Sequence, residues 1–111
     1  MHLVATGAEF REIALSLEGT EEAPHVDRRA FRVRRIYATL APDEGSANLK
    51  FTPDEQEFRC MMAPESFAAL ENAWGRQGWT VVQLANISPA ELRTALAAAW
   101  ENGRRKHTSR D

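Results

Sequence analysis

The sequence predicts a two-layer α+β domain, an antiparallel sheet of four to five strands with helices on one face, in the order α-β-β-β(-β)-α-β-α. Three observations carry this. Three helix starts are written in the same capping chemistry, apolar residues alternate with period two between residues 31 and 51, and the alternating runs are separated by short turn strings. Strands met consecutively across short turns are antiparallel, and a sheet of this size needs helices over one face. A length of 111 residues allows one core and no second. We therefore assign residues 1–103 to a single domain and 104–111 to a basic, frayed C-terminal tail.

The helix starts are Thr6-Gly7-Ala8-Glu9, Thr52-Pro53-Asp54-Glu55 and Ser88-Pro89-Ala90-Glu91, each a capping box, the last two with proline at the first helical position. The first helix runs from Gly7 to Leu17 on Phe10, Ile13, Ala14 and Leu17, and Gly19 stops it. The middle helix buries Phe58, Met61 and Met62 and ends at Pro64; Phe67, Leu70 and Trp74 keep helical spacing and extend it by a turn or two over residues 65–73. The last helix runs from Pro89 to Gly103 on Leu92, Ala95, Leu96, Ala99 and Trp100. Between the first two helices a short strand covers Ala23 to Val26. Phe31 and Val33 then alternate with Arg32 and Arg34, and Ile36, Ala38 and Leu40 with Tyr37 and Thr39. The parity slips at Arg34-Arg35, as at a tight hairpin. Ala47, Leu49 and Phe51 form the next strand after the turn string Pro42-Asp43-Glu44-Gly45, and Trp79 to Leu84 the last.

The net charge of −2 conceals a segregation. Residues 1–27 carry −5, residues 28–35 carry +5 as five arginines, residues 36–101 carry −5, and the last ten residues carry +3. Two basic islands therefore sit in an acidic body. Cys60 is the single cysteine, which excludes an intramolecular disulfide and a zinc cluster. No apolar run approaches the roughly 18 residues of a membrane helix and no signal-peptide pattern opens the chain, so no membrane association and a cytoplasmic location are expected.

Several strings together resemble the MmcQ/YjbR family of small bacterial proteins. They are Phe10 to Leu17, Gly19-Thr20-Glu21-Glu22-Ala23-Pro24-His25, Phe31-Arg32-Val33, Ile36 to Leu40, Asn48-Leu49-Lys50, Trp74-Gly75-Arg76-Gln77-Gly78-Trp79-Thr80 and Leu92 to Trp100. The Trp-Gly-x-x-Gly-Trp string and the Pro-His after the first helix are the most specific. The resemblance implies a frataxin-like or secretion-chaperone-like α+β fold and suggests DNA binding; it brings no reaction, cofactor or catalytic motif. Many members carry glycines where this chain has Arg34-Arg35, and a two-residue hairpin turn wants positive φ there. Either the turn is longer or the arginines are strained, and the register of this hairpin is open.

The arginine island is the first candidate site. With Phe31 and Val33 pointing to the core, Arg32 and Arg34 share the open sheet face, Arg28, Arg29 and Arg35 lie at its ends, and Lys50 also leaves the core side. Such a cationic ribbon can hold phosphates. The simpler reading is an exposed sheet guarded by charge, with Glu21, Glu22 or Asp27 pairing across strands. Trp74, Gly75, Gly78 and Trp79 beside Arg76 form the second candidate. Stacking aromatics suit unpaired bases, while the structural reading has a glycine-dependent turn whose indoles close the core. His25 reads as a side chain hydrogen-bonded at the sheet edge, and Cys60 as a core thiol. His2 and His107 are terminal, so no metal site or cofactor is expected. Frataxin-like function rests on an acidic ridge, and although Glu9, Glu12, Glu18, Glu21 and Glu22 fall near the first helix, fold similarity alone carries no such activity.

The expectation is a non-enzymatic domain that binds DNA weakly and largely without sequence preference through Arg28, Arg29, Arg32, Arg34, Arg35, Lys50 and Arg76. The alternative is a protein-interaction module that uses the open sheet or its edge for a peptide or a second copy. Exposed Tyr37 or Val82 beside the arginines would favour it.

Overall fold

The three long helices each begin where a hydroxyl caps them. The computed structural model describes residues 4–106. Thr6 and Ser88 close full capping boxes with Glu9 and Glu91, starting α1 (Gly7–Ser16) and α4 (Pro89–Arg104). Thr52 caps α2 (Pro53–Met62), but the Glu55 carboxylate turns to the Arg59 Nε 2.6 Å away, so that box stays open. Six strands form one antiparallel sheet: β1 (Glu21–His25), β2 (Arg28–Arg32), β3 (Ile36–Leu40), β4 (Ser46–Lys50), β5 (Phe67–Ala69) and β6 (Trp79–Gln83), in the spatial order β1-β2-β3-β4-β6-β5. A one-turn helix, α3 (Ala73–Arg76), joins β5 to β6.

The helices cover one face. Helix α4 lies across β3 and β4 and α1 packs beside it, with the Trp100 Nε1 donating to the Glu18 carbonyl at 2.9 Å. Phe10 and Ile13 of α1 and Leu92 and Leu96 of α4 meet Phe31, Leu40, Leu49 and Val82 of the sheet, all 2 % exposed or less. Phe10 and Phe31 meet edge to face at 5.5 Å. Burial of each such side chain contributes about 1.5–3 kcal/mol, which is why the period-two and helical stripes meet in one core.

Three expectations fail, each for a physical reason. Residues 65–73 are not helix. After Pro64, Phe67–Ala69 add a sixth strand along the edge of β6, pinned by the Ser66 hydroxyl on the Asn86 carbonyl and the Asn86 amide on the Glu65 carbonyl, both 2.7 Å. The helical spacing of Phe67, Leu70 and Trp74 is coincidental: Phe67 enters the core, and the other two border the opposite side of the sheet. Phe58, Met61 and Met62 are not the buried side of α2 but are 55, 68 and 65 % exposed. Polar side chains with specific partners take the inner face instead. The Gln56 amide donates to the Gly75 and Trp79 carbonyls at 3.0 Å, and the Arg59 guanidinium lies 5.1 and 5.7 Å from the Phe51 and Phe67 ring centres.

The third correction concerns the hairpin between β2 and β3. It is not a tight one: of the two alternatives left open the longer turn holds, Val33 to Arg35, and neither arginine adopts positive φ. The parity slip comes from a bulge: Phe31 pairs with Ala38 but Arg32 with Ile36, leaving Tyr37 as the extra residue. Tyr37 and Ala38 both become buried, and Tyr37 turns to the helices, where its hydroxyl meets Thr20 at 2.9 Å and the Ala14 carbonyl at 3.3 Å. Ile36 thereby leaves the core side. At the other end of the chain, Arg104 is still helical and Arg105 is the cap; the remainder of the expected frayed tail, 107–111, lies outside the described residues.

Candidate functional site

The face of the sheet away from the helices is built by strand alternation. Register places Ala23, Ala30, Thr39, Asn48, Val81 and Ala68 in one row across it, opposite in pleat to the core row of Phe31, Ala38 and Leu49. Two residues to one side stands Arg28; two residues to the other stand Arg32, paired with Ile36, and Lys50, paired with Trp79. The loop after β5 and helix α3 bring Leu70 and Trp74 over the far edge. The result is a groove of about 390 Å³ lined by His25, Arg28, Ile36, Thr39, Asn48, Leu70, Trp74 and Trp79.

The cations are not equivalent. The Arg28 Nε donates to the Thr39 hydroxyl at 2.8 Å, and burial lowers its pKa, opposed by Asp27 and Asp43. Lys50 is half-buried beside Arg35, Gln77 and Trp79; burial, then the charge of Arg35, lowers its pKa. Arg32 is exposed and lies across the strand pair from Glu21. Arg34 is exposed in the turn, and Arg76 is exposed on α3. Two members of the island are engaged elsewhere. Arg29 lies on the helix side, where its Nε donates to the Glu22 carboxylate at 2.8 Å; Arg11 of α1 donates to the same oxygen at 3.0 Å. The Arg35 guanidinium donates to the Asn102 carbonyl at 2.9 Å, at the negative end of α4. Charge guarding with Glu22 thus accounts for Arg29, and helix capping for Arg35.

The tryptophan string divides in the same way. Its glycines are structural: a Cβ on Gly75 would lie 1.7 Å from the Leu70 carbonyl oxygen, and Gly78 holds φ +111° against the Phe51 carbonyl. Its indoles do not close the core. Trp74 is 58 % exposed and Trp79 is half-buried, both on the groove: on β6 it is Thr80, paired with Leu49, that faces the core, so Trp79 faces the other side. His25, expected to be hydrogen-bonded at the sheet edge, is exposed at the end of β1 and makes no side-chain hydrogen bond among the described residues. Tyr37 and Val82 are fully buried, so the apolar surface on this face comes from Ile36, Leu70, Trp74 and Trp79 instead. Sequence reasoning missed Ile36, Thr39, Asn48 and Leu70. For Asn48 the signal was present, since it alternates with the core residues Ala47 and Leu49 and must leave their side of the sheet.

Cys60 is half-buried against the core, and burial pushes its thiol pKa up, opposed by a backbone hydrogen bond from Ala69. That disfavours a thiolate nucleophile. Among the described residues no group of three or more His, Cys, Asp or Glu side chains could hold a metal ion, and no helix is long and apolar enough to cross a membrane.

No curated protein matches the chain. Among solved structures, it is similar to the crystal structure of the Deinococcus radiodurans protein DR2400, a DUF419 domain, with a TM-score of 0.78 at 21 % identity over 96 % of this chain and 85 % of that one. At that identity the likeness establishes the fold. The YjbR family model matches residues 15–102, from the end of α1 through almost all of α4, and the chain belongs to the YjbR family.

Proposed function

We propose that this is a binding domain without chemistry of its own and that its open sheet face binds nucleic acid, weakly and with little sequence preference. The observation that carries this reading is the position of Arg28, Arg32 and Lys50 on one side of the sheet, with Arg28 lining a groove that presents two indoles and Arg32 and Lys50 in the adjoining hollows that share Ile36 with it. Strand geometry separates Arg28 from Arg32 by about 13 Å along β2, and Lys50 from Arg32 by about 10 Å across two strands. Three cations so spread reach separate phosphates, and Arg34 and Arg76 lie outside that set, at the turn and on α3.

Fluorescence anisotropy with a labelled oligonucleotide tests it. Three neutralised phosphates give a log–log salt slope of about −2.7 on duplex and about −2.1 on single strand. Affinity then falls roughly 40-fold or 20-fold between about 50 and 200 mM salt. Arg32→Ala should reduce the slope by about one, whereas Arg29→Ala, on the helix side, should leave it unchanged. Binding that ignores salt, or an Arg32→Ala protein that binds like the parent, removes nucleic acid as the ligand.

A protein partner on the same face is the second reading. It is favoured by the exposure of Trp74 next to Ile36 and Leu70, an apolar centre of the kind that excludes water at interfaces. A molar mass above that of one chain by light scattering, with no oligonucleotide binding at low salt, would establish self-association instead.

A further inference from the structure

We infer that the groove between Trp74 and Trp79 receives an unpaired base, so that the open sheet face selects single-stranded nucleic acid over duplex. The inference rests on the nucleic-acid reading above and names its substrate class. The groove, at about 390 Å³, lies within the roughly 300–1,000 Å³ of small-molecule sites. Indoles offer π-faces on which any base can stack. Its floor is polar where Thr39 and Asn48 pair, between Arg28 and the indoles. Asn48 sits in the middle of the central strand β4, half-buried, and its amide makes no side-chain hydrogen bond among the described residues. A half-buried amide that offers both donors and an acceptor beside Ile36, Leu70 and two indoles matches the edge of a heteroaromatic ring better than an aliphatic ligand. The adjacent Thr39 hydroxyl already accepts from Arg28 and retains its own proton to donate.

The cations stand where a strand's phosphates would pass. Arg28 lies about 7 Å to one side of the Thr39–Asn48 row and Arg32 and Lys50 about 7 Å to the other. A base seated over Asn48 is therefore flanked by charge in both directions along its backbone. A duplex keeps its bases stacked and paired. It could engage only the charges, leaving the apolar wall around Trp74 wet.

The test compares a labelled oligothymidine with a duplex of equal length at about 50 mM salt, with free thymidine monophosphate as competitor. The single strand should bind about tenfold more tightly or better. Trp74→Ala, at an exposed position that burdens folding little, should weaken the single strand about tenfold, leave duplex binding unchanged and preserve the salt slope. Quenching of tryptophan emission by the single strand gives a second readout. Equal affinity for the duplex, or a Trp74→Ala effect shared by both ligands, overturns the inference and leaves the nucleic-acid reading standing. Competition by the free nucleotide at concentrations equal to those of strand nucleotides overturns strand recognition in favour of a nucleotide site. Absence of binding to either oligonucleotide overturns the inference together with the reading beneath it.

Discussion

One carboxylate oxygen ties three elements of this fold together, and its removal has a calculable cost. The Glu22 Oε2 on β1 accepts from the Arg29 Nε on β2 at 2.8 Å and the Arg11 Nε on α1 at 3.0 Å. The Glu22 side chain is 14 % exposed, while Arg11 and Arg29 are 34 and 43 % exposed. Hydrogen bonds to charged groups contribute about 1.5–3 kcal/mol when well shielded. Solvent screening at these two guanidiniums brings each nearer to 1 kcal/mol or below. Glu22→Gln keeps an acceptor but loses the charge, so the expected cost is about 1–2 kcal/mol, or roughly 5–15 °C in Tm for a domain of this size. Burial pushes the Glu22 pKa up, but the hydrogen bonds and charges of Arg29 and Arg11 outweigh it and hold the carboxyl below its usual value of 4.5. A depressed carboxyl contributes its stability above its unfolded pKa and loses it as pH falls through the folded one. Thermal unfolding followed by circular dichroism should therefore separate parent and Glu22→Gln proteins at neutral pH and bring them together in acid, below the depressed pKa. Equal Tm values at neutral pH, or a gap that survives full acidification, would refute the bridging role.

Two further outcomes follow from the backbone and the buried hydroxyl. Tyr37 is the single tyrosine, and burial pushes its pKa up to about 12 from 10.0, tempered by its hydrogen bond to Thr20. Its neutral form is favoured in the fold, so stability is intact below pH 10 and declines by roughly 2–3 kcal/mol as pH rises towards 12. Tyr37→Phe should lose about 1 kcal/mol at neutral pH and flatten that alkaline decline, measured by urea unfolding across the range. Val26, at the tip between β1 and β2, holds φ 61° with a 95 % exposed side chain. A β-branched residue in the left-handed region costs about 1–2 kcal/mol, against roughly 0.5–1 kcal/mol of extra chain entropy for glycine. Val26→Gly should accordingly raise Tm by a few degrees; a lower Tm would show that the turn is not strained.

The layers of the fold were legible because their signals are local. Hydroxyl caps at Thr6, Thr52 and Ser88 start helices wherever the following residues permit, and Leu92, Leu96 and Ala99 can share a stripe only as a helix. The failures fall where a local signal met a tertiary competitor. Gln56 and Arg59 took the inner face of α2 from Phe58, Met61 and Met62 because β6, Phe51 and Phe67 supplied partners that the sequence does not display. β5 was hidden because three residues are too few for periodicity to separate strand from helix.

The candidate site was half legible for a reason intrinsic to sheets. A pleated strand sends neighbouring side chains to opposite faces, so a run of arginines cannot form one surface however dense it looks in sequence. Arg28 and Arg32 emerge together and Arg29 goes to the helices, where Glu22 neutralises it. Beyond the strand, the turn geometry decides, and Arg35 ends on the carbonyls of α4. What the island loses is replaced from a distance. Lys50 arrives from β4, and the aromatic wall comes from Trp79 and from Trp74 on α3. The seven cations that the sequence nominated thus reduce to three on the groove's side of the sheet. That reduction is itself measurable. Seven phosphate contacts on duplex would give a slope of about −6, against about −2.7 for three, so the salt titration distinguishes a face that gathers the whole island from one thinned by the pleat of β2, the turn after it and the placement of α3.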